Sequence, residues 1–243
     1  MLFRNPYLSC LRKITTDIAS KVIIAIDGPA GSGKSSTARA VGRELGFLYL
    51  DTGAMYRAIG LAFRRSGSNT SRESISSLVD NTTISLDVTD AGYRVSLDGE
   101  DVTELIRTPE ASESASVVAK LPAIRAAMVE KQRAIAASAN QNFGGVVLEG
   151  RDIGTVVFPE AELKIFLDAD ISVRANRRGL DLADSGVNTD SIRDQIERRD
   201  TADQTRDIAP LKAAPDAIRI DTTDLTFDEQ VSQIVGLARK LIH

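Results

Sequence analysis

Eight residues, Gly28-Pro29-Ala30-Gly31-Ser32-Gly33-Lys34-Ser35, have the types and the spacing of a phosphate cradle. The glycines let backbone N–H groups turn toward one point, the lysine reaches terminal phosphates, and the hydroxyl after it can ligate magnesium. An apolar run at 22–26 reads as a buried parallel strand, and residues 36–45, from Ser36 on, read as a helix. The partial positive charge of a helix start then falls on the same point. Strand, loop, lysine, hydroxyl and helix all agree on a bound nucleoside triphosphate.

Further candidates are carboxylates and arginines. Asp51-Thr52-Gly53 follows the short apolar run 47–50, and Glu149-Gly150-Arg151-Asp152 follows 146–148. Arg174, Arg177 and Arg178 have the three- and four-residue spacing of one helical face, and Arg198, Arg199 and Arg206 flank Asp200 and Asp203. Arginines of this kind, closing over a triphosphate, can stabilise a transferring phosphoryl group and exclude water. Of the 30 basic residues 22 are arginine, which suits bidentate phosphate recognition better than lysine does.

The elements that must carry these groups alternate between strand and helix: strands at 22–26, 47–50, 146–148, 163–167 and 217–220, with helices between and a last one at 227–242. That order predicts an α/β fold, a parallel sheet with helices on both faces. Loops after such strands converge at one sheet edge, so the glycine loop, Asp51-Thr52 and the 149–152 segment should share a cleft. Residues 84–102 differ. Ile84, Leu86 and Val88, then Tyr93, Val95 and Leu97, alternate with polar residues around turns at Asp90-Ala91-Gly92 and Asp98-Gly99, which predicts a small antiparallel sheet inserted in the larger fold. Helices resume near Ser112, and Pro122 opens a long one to about Ala139.

Composition bounds the function. A net charge of −4 argues against broad nucleic-acid binding, and no apolar run approaches a membrane span. The single cysteine, Cys10, excludes an intrachain disulfide, and the single histidine, His243, argues against histidine catalysis and histidine metal clusters. Residues 1–21 read as a poorly ordered extension, and the expected location is the cytoplasm. With no long heptad pattern, a monomer is expected.

A phosphate loop alone leaves open a GTPase, a motor ATPase or a small-molecule kinase. No Asn-Lys-x-Asp guanine-reading motif is present, and no long apolar run ends in Asp-Glu. An alcohol acceptor would call for a base, whereas a phosphate acceptor needs only cations. Arg57, Arg107, Arg125 and Arg151 are placed near the expected cleft edges, with no evident base, and favour a nucleoside monophosphate kinase. A kinase using UMP or an alcohol, and a nucleotide-binding module without catalysis, are the alternatives.

Three longer segments carry a resemblance. Ile26 through Ser35, Leu50-Asp51-Thr52-Gly53-Ala54-Met55-Tyr56-Arg57, and Glu149-Gly150-Arg151-Asp152-Ile153-Gly154-Thr155-Val156-Val157-Phe158-Pro159 resemble the bacterial cytidylate kinase family, as do 165–169 and 205–211. The match spans 22–242. The first motif is shared by many phosphate-loop enzymes; the other two, with the strand-rich insertion between them, are specific. The resemblance implies a P-loop kinase fold over 22–243, with an acceptor-binding insertion at about 66–125 and a lid at about 178–208. It implies transfer of the ATP γ-phosphoryl to CMP or dCMP with Mg2+. Catalysis falls on Lys34, Arg199 and Arg206. ATP falls on the loop residues Gly28 to Ser35, on Ser36, and on Arg174, Arg177 and Arg178. CMP falls on Thr52, Arg57, Ser116, Arg125, Arg151, Asp152, Arg199, Asp203 and Arg206. Within that set Arg57, Arg151 and Arg206 hold the acceptor phosphate, Arg199 and Asp203 the sugar, and Ser116, Arg125 and Asp152 the base. Ser35 would ligate the metal, with Asp51 and Glu149 acting through water. Two positions depart from the pattern: Glu149 stands where many relatives have aspartate, and Ala202 where the lid usually has a larger residue.

Overall fold

Strand β1 (Val22–Asp27) sends Val22, Ile24 and Ile26 into one apolar layer and Ala25 into another, because successive strand side chains alternate in direction. The glycine loop leads to α1 (Lys34–Leu45), which begins two residues earlier than expected and ends at Gly46, whose φ of 69° only a glycine adopts freely. In β2 (Leu48–Asp51) the last residue becomes the cap of α2 (Thr52–Arg65): the Asp51 carboxylate accepts the Ala54 N–H at 2.8 Å. Met55, Ile59 and Ala62 lie on the buried face of α2, as their spacing predicts. A short helix, α3 (Arg72–Asn81), precedes the antiparallel strands β3 (Ile84–Thr89), β4 (Gly92–Leu97) and β5 (Glu100–Asp101).

The next helix, α4 (Pro109–Val118), starts three residues before the expected Ser112. Thr108 accepts the Ala111 N–H and Pro109 occupies the first turn, two start signals that the apolar spacing alone does not reveal. Helix α5 (Pro122–Asn142) opens at Pro122 as expected. Strand β6 (Gly145–Gly150) runs on through Glu149 and Gly150, where a loop is expected, and a five-residue π-helical turn, Ile153–Val157, follows. The chain continues through β7 (Leu163–Asp168), α6 (Ile171–Asp181), α7 (Thr189–Gln204), β8 (Ile218–Asp221) and α8 (Phe227–Ile242).

The computed structural model describes residues 22–89, 92–181 and 189–242. The expected extension at 1–21, the turn residues Asp90-Ala91, part of the expected lid and His243 lie outside the described residues. The five parallel strands take the order β2-β6-β1-β7-β8. Helices α1 and α8 cover one face through Val41, Val231, Ile234 and Val235. On the other face, α2, α4 and α5 bring Met55, Ile59, Val118 and Met128 together with Val95 and Leu97 of the small sheet. A third, small cluster of Ala175, Ile192 and Ile196 joins α6 to α7, and Ala30 of the glycine loop packs against it. No helix among the described residues is long and apolar enough to cross a membrane.

Candidate active site

The carboxyl ends of β1, β2, β6 and β7 lie on one edge of the sheet, and the glycine loop, Asp51-Thr52 and the 149–152 segment gather there as expected. Gly28 has φ +152°, and a Cβ there would collide with the Leu167 carbonyl oxygen, so the loop can cross β7 only with glycine. Gly31, at φ +75°, likewise passes close to the backbone of Arg174, where a Cβ would stand 2.8 Å from the carbonyl oxygen. Helix α1 starts at Gly33 with no side-chain cap, which leaves its first N–H groups for an anion. Lys34 is buried and donates back to the Pro29 carbonyl. Burial, then the nearby Arg151 and Arg199, push its ammonium well below the usual range, against the pull of Glu149 and Asp200. A phosphate arriving beside Lys34 would offset that penalty.

Two carboxylates face the loop from neighbouring strands. Asp51 and Glu149 are register partners, and both are buried. Glu149 accepts the Tyr49 hydroxyl at 3.0 Å, and the Ser35 hydroxyl nearby favours its anion. Burial and the proximity of Asp51 raise the Glu149 carboxyl above its ordinary value. Asp51 holds Arg57 at 3.0 Å and also accepts the Tyr93 hydroxyl. Burial works against its charge, but Arg57, Tyr93 and the Ala54 N–H together keep it below the ordinary carboxylate range.

Beside this pair lies a corner of arginines and aspartates. Asp152 is buried and hydrogen-bonded to Arg125, whose guanidinium lies 5.8 Å from the Tyr56 ring centroid. Arg206 stands 3.7 Å from both Asp152 and Asp203, beyond hydrogen-bond length, and its Nη2 is buried without a hydrogen-bond partner. Burial raises the Asp152 carboxyl despite Arg125 and Arg206. Arg151 bridges the two halves of the site: it donates to Asp203 at 2.9 Å and to the Gly28 carbonyl at 2.7 Å. Burial and Arg151 push Arg199 down to about 10, and its Nε has no partner. Guanidiniums do not release their protons in proteins, so crowding of this kind marks a site short of an anion. Thr52 donates to the Glu149 carbonyl at 2.7 Å, and Ser116 to the Ser112 carbonyl of its own helix at 3.2 Å.

The arginines of α6 sit behind the glycine loop. Arg174 donates to the carbonyls of Ala169 and Ala30 and pairs with Asp200, while Arg177 donates to the hydroxyl and carbonyl of Thr222. Asp200 of α7 in turn accepts the Ala30 N–H at 2.9 Å. Arg178 is half-buried and adds to the charge around Arg199. Arg107 is 61% exposed and pairs locally with Glu104. Ala202 lines a cavity of about 700 Å3 that opens beside Arg206, with Lys120, Arg198 and Thr205. A small residue leaves that space open.

Several residues of the site escape sequence reading. Asp27, at the end of β1, accepts the N–H groups of Ile153 and Gly154 at 2.9 and 2.8 Å and so joins the glycine loop to the π-turn. Burial raises its carboxyl to about 7, with Asp152 adding to the shift and the two N–H groups and Lys34 opposing it. Its position just before Gly28 is the one available signal. Gln230 of α8 bonds Thr37 in the first turn of α1, behind the loop. Tyr49 and Tyr93 read as ordinary strand residues until their hydroxyls are placed.

A glycine loop on a five-stranded parallel sheet, arginine-rich helices beside it and an inserted antiparallel sheet define the class of P-loop phosphotransferases. Comparison with known proteins narrows the class. The family model described as Cytidylate kinase matches residues 24–240. A cytidylate kinase of Pelotomaculum thermopropionicum is 49% identical over 88% of this chain and 94% of its own length. One of Caldicellulosiruptor saccharolyticus is 45% identical over 91% of this chain and 97% of its own. A bifunctional pantoate ligase/cytidylate kinase of Synechococcus sp. is 48% identical over 90% of this chain, which spans 41% of that protein. The chain belongs to the cytidylate kinase family.

Proposed function

We propose that this protein transfers the γ-phosphoryl group of ATP to the phosphate of CMP or dCMP. Besides family membership, one observation carries the reading. A buried carboxylate, Asp152, stands at the acceptor side of the glycine loop, paired to Arg125 and flanked by Arg206, with Arg151 linking that corner to the Gly28 carbonyl. A carboxylate accepts from the exocyclic amine of cytosine, whereas uracil would set a carbonyl oxygen against it. Polar pairing of this kind discriminates more strongly than size alone.

The triphosphate would lie along the uncapped start of α1, with Lys34 at its terminal phosphates. Arg57 and Arg206 each keep a buried nitrogen without a partner, and the acceptor phosphate would supply the missing anion. Arg199 and Asp203 are assigned to the sugar, and Ser116, Arg125 and Asp152 to the base. The acceptor is already an anion, so positioning and charge neutralisation suffice and no general base is required. The ordinary cofactor of such a reaction, Mg2+, neutralises the phosphates and fixes their geometry. The Ser35 hydroxyl would hold it, with the nearby Glu149 carboxylate and Asp51 beside it acting through water, an all-oxygen donor set that suits the ion.

The test is ADP formation from ATP and Mg2+ with CMP, dCMP, UMP, AMP, GMP or no acceptor. Strong turnover with CMP and dCMP, weak turnover with UMP and none without acceptor is the expected pattern. Acceptor-independent ADP would make the protein an ATPase, and turnover led by another acceptor would reassign the substrate.

A further inference from the structure

Arg57 is fixed by one nitrogen only. Its Nη2 donates to Asp51 at 3.0 Å, while its Nε is buried and has no hydrogen-bond partner. The guanidinium is thus clamped on one edge and open on another, which is preorganisation for a second anion. How well it is held depends on how well Asp51 is held. One Asp51 oxygen, Oδ1, is tied to the start of α2 through the Ala54 N–H. The other, Oδ2, carries Arg57, and it carries the Tyr93 hydroxyl as well.

Tyr93 comes from the small inserted sheet. On β4 it shares a face with Val95 and Leu97, which are buried in the core shared with α2. The same face, two residues closer to the start of the strand, therefore reaches the end of β2. There the Tyr93 ring lies 5.9 Å from the Tyr49 ring, tilted by 51°. Each tyrosine donates to one member of the Asp51–Glu149 register pair, Tyr49 to Glu149 and Tyr93 to Asp51. Packing needs only the ring. The hydroxyl adds a second pin on the oxygen that orients Arg57.

We infer that Tyr93 is a positioning residue for the acceptor phosphate, acting through Asp51 on Arg57, an inference that rests on the CMP kinase reading above. Tyr93 thereby makes the inserted sheet part of the acceptor site without touching the acceptor. Without the hydroxyl the Asp51 carboxylate keeps Arg57 but loses its fixed plane, and the buried Arg57 nitrogen is presented less well.

The experiment is CMP binding without ATP or Mg2+, measured by titration calorimetry or ligand-observed NMR. The proteins are the wild type, Tyr93→Phe, Arg57→Met and the double variant. Tyr93→Phe should weaken CMP binding about tenfold, the scale of one hydrogen bond to a charged group, and leave ATP binding within about twofold. In the Arg57→Met background it should have no further effect. Unchanged CMP affinity in Tyr93→Phe overturns the inference, and so does an equal loss in both backgrounds. A fall in Tm of more than about 5 °C with both nucleotides weakened alike would make the hydroxyl a structural one and overturn the inference as well. If the wild type itself fails to bind CMP, the kinase reading falls and this inference with it; CMP binding that persists while Tyr93→Phe changes nothing leaves the kinase reading intact.

Discussion

Asp27 shows what burial does to a single carboxyl. Two backbone N–H groups of the π-turn favour its anion, yet burial outweighs them and raises it to about 7 from 3.8. The native group therefore keeps a proton that the unfolded chain releases at lower pH. Its stabilising contribution is full below about 3.8 and is lost as the pH rises through about 7. Between pH 5 and pH 8 the wild type should lose about 2–3 kcal/mol relative to Asp27→Asn, which has no such proton to lose. Urea denaturation of both proteins at the two pH values measures this, and a gap independent of pH would refute it. Asp152, only a few residues beyond the end of β6, carries a different burden. Burial also works against its charge, but Arg125 is hydrogen-bonded to it and Arg206 is close. In the proposed reaction Asp152→Asn keeps the shape and replaces one acceptor oxygen with a donor. Expected is a fall in kcat/KM for CMP of about a hundredfold, with a smaller fall for UMP. Equal losses for the two acceptors would mean that Asp152 serves the arginines and does not read the base.

Helices α2 and α4 meet at Gly60, where a Cβ would stand 3.0 Å from the Ala115 nitrogen and 3.1 Å from the Ser114 Cβ. The glycine is there to let two helices approach, since alanine would serve the interior of an isolated helix better by about 1 kcal/mol. Helix α2 carries Arg57 and α4 carries Ser116, so in the proposed reaction their separation would also be a dimension of the acceptor side. Gly60→Ala should cost about 1–2 kcal/mol net, overpacking outweighing helix propensity, and should raise KM for CMP while leaving KM for ATP alone. A more stable variant, by denaturant titration, would show that the helix pair has slack. Contacts like this one mark how far a sequence can be read. The glycine loop, the alternation at 84–102 and the apolar face of α2 are local patterns, and each element lies where its pattern puts it. The early start of α4 is also written locally, in Thr108 and Pro109, but a reading of apolar spacing passes over caps. The π-turn is another matter. Asp27 holds its N–H groups, and Arg133 of α5 holds the carbonyls of Val156 and Val157, from residues more than 20 positions away. The hydroxyl of Tyr93 finds Asp51 across 42 residues. Such groups take their meaning from tertiary neighbours, and nothing in their local sequence announces it.

As a whole the molecule joins an apolar body to a polar clasp. Two extensive clusters fix the sheet between its helical layers, whereas among the described residues the buried apolar contact of α6 with α7 is Ala175, Ile192 and Ile196, with Ala30 and Ile171 against them. Polar contacts supply further attachment, several of them to the glycine loop itself. Asp200 accepts the Ala30 N–H, Arg174 spans Asp200 and the Ala30 carbonyl, and Arg151 spans Asp203 and the Gly28 carbonyl. Segments with little apolar burial are the first to open, and a kinase lid must open to exchange nucleotides. The same contacts tie lid position to loop geometry, so closure is registered where the triphosphate would lie. Asp200→Ala removes the acceptor of the Ala30 N–H and the partner of Arg174 in one change, and leaves that guanidinium, 11% exposed, without its counter-ion. Breaking a buried pair by removing one member costs about 3–5 kcal/mol when the survivor stays buried, a penalty that opening relieves by hydrating Arg174. Hydrogen exchange across 192–204 should therefore quicken at least about tenfold in the variant, with β1, β6 and β7 unchanged. A lid that spends more time open also excludes water less well, so ADP formed without acceptor should rise relative to ADP formed with CMP. If exchange quickens in the sheet as much as in α7, Asp200 supports the body of the protein and the clasp is not a separate unit.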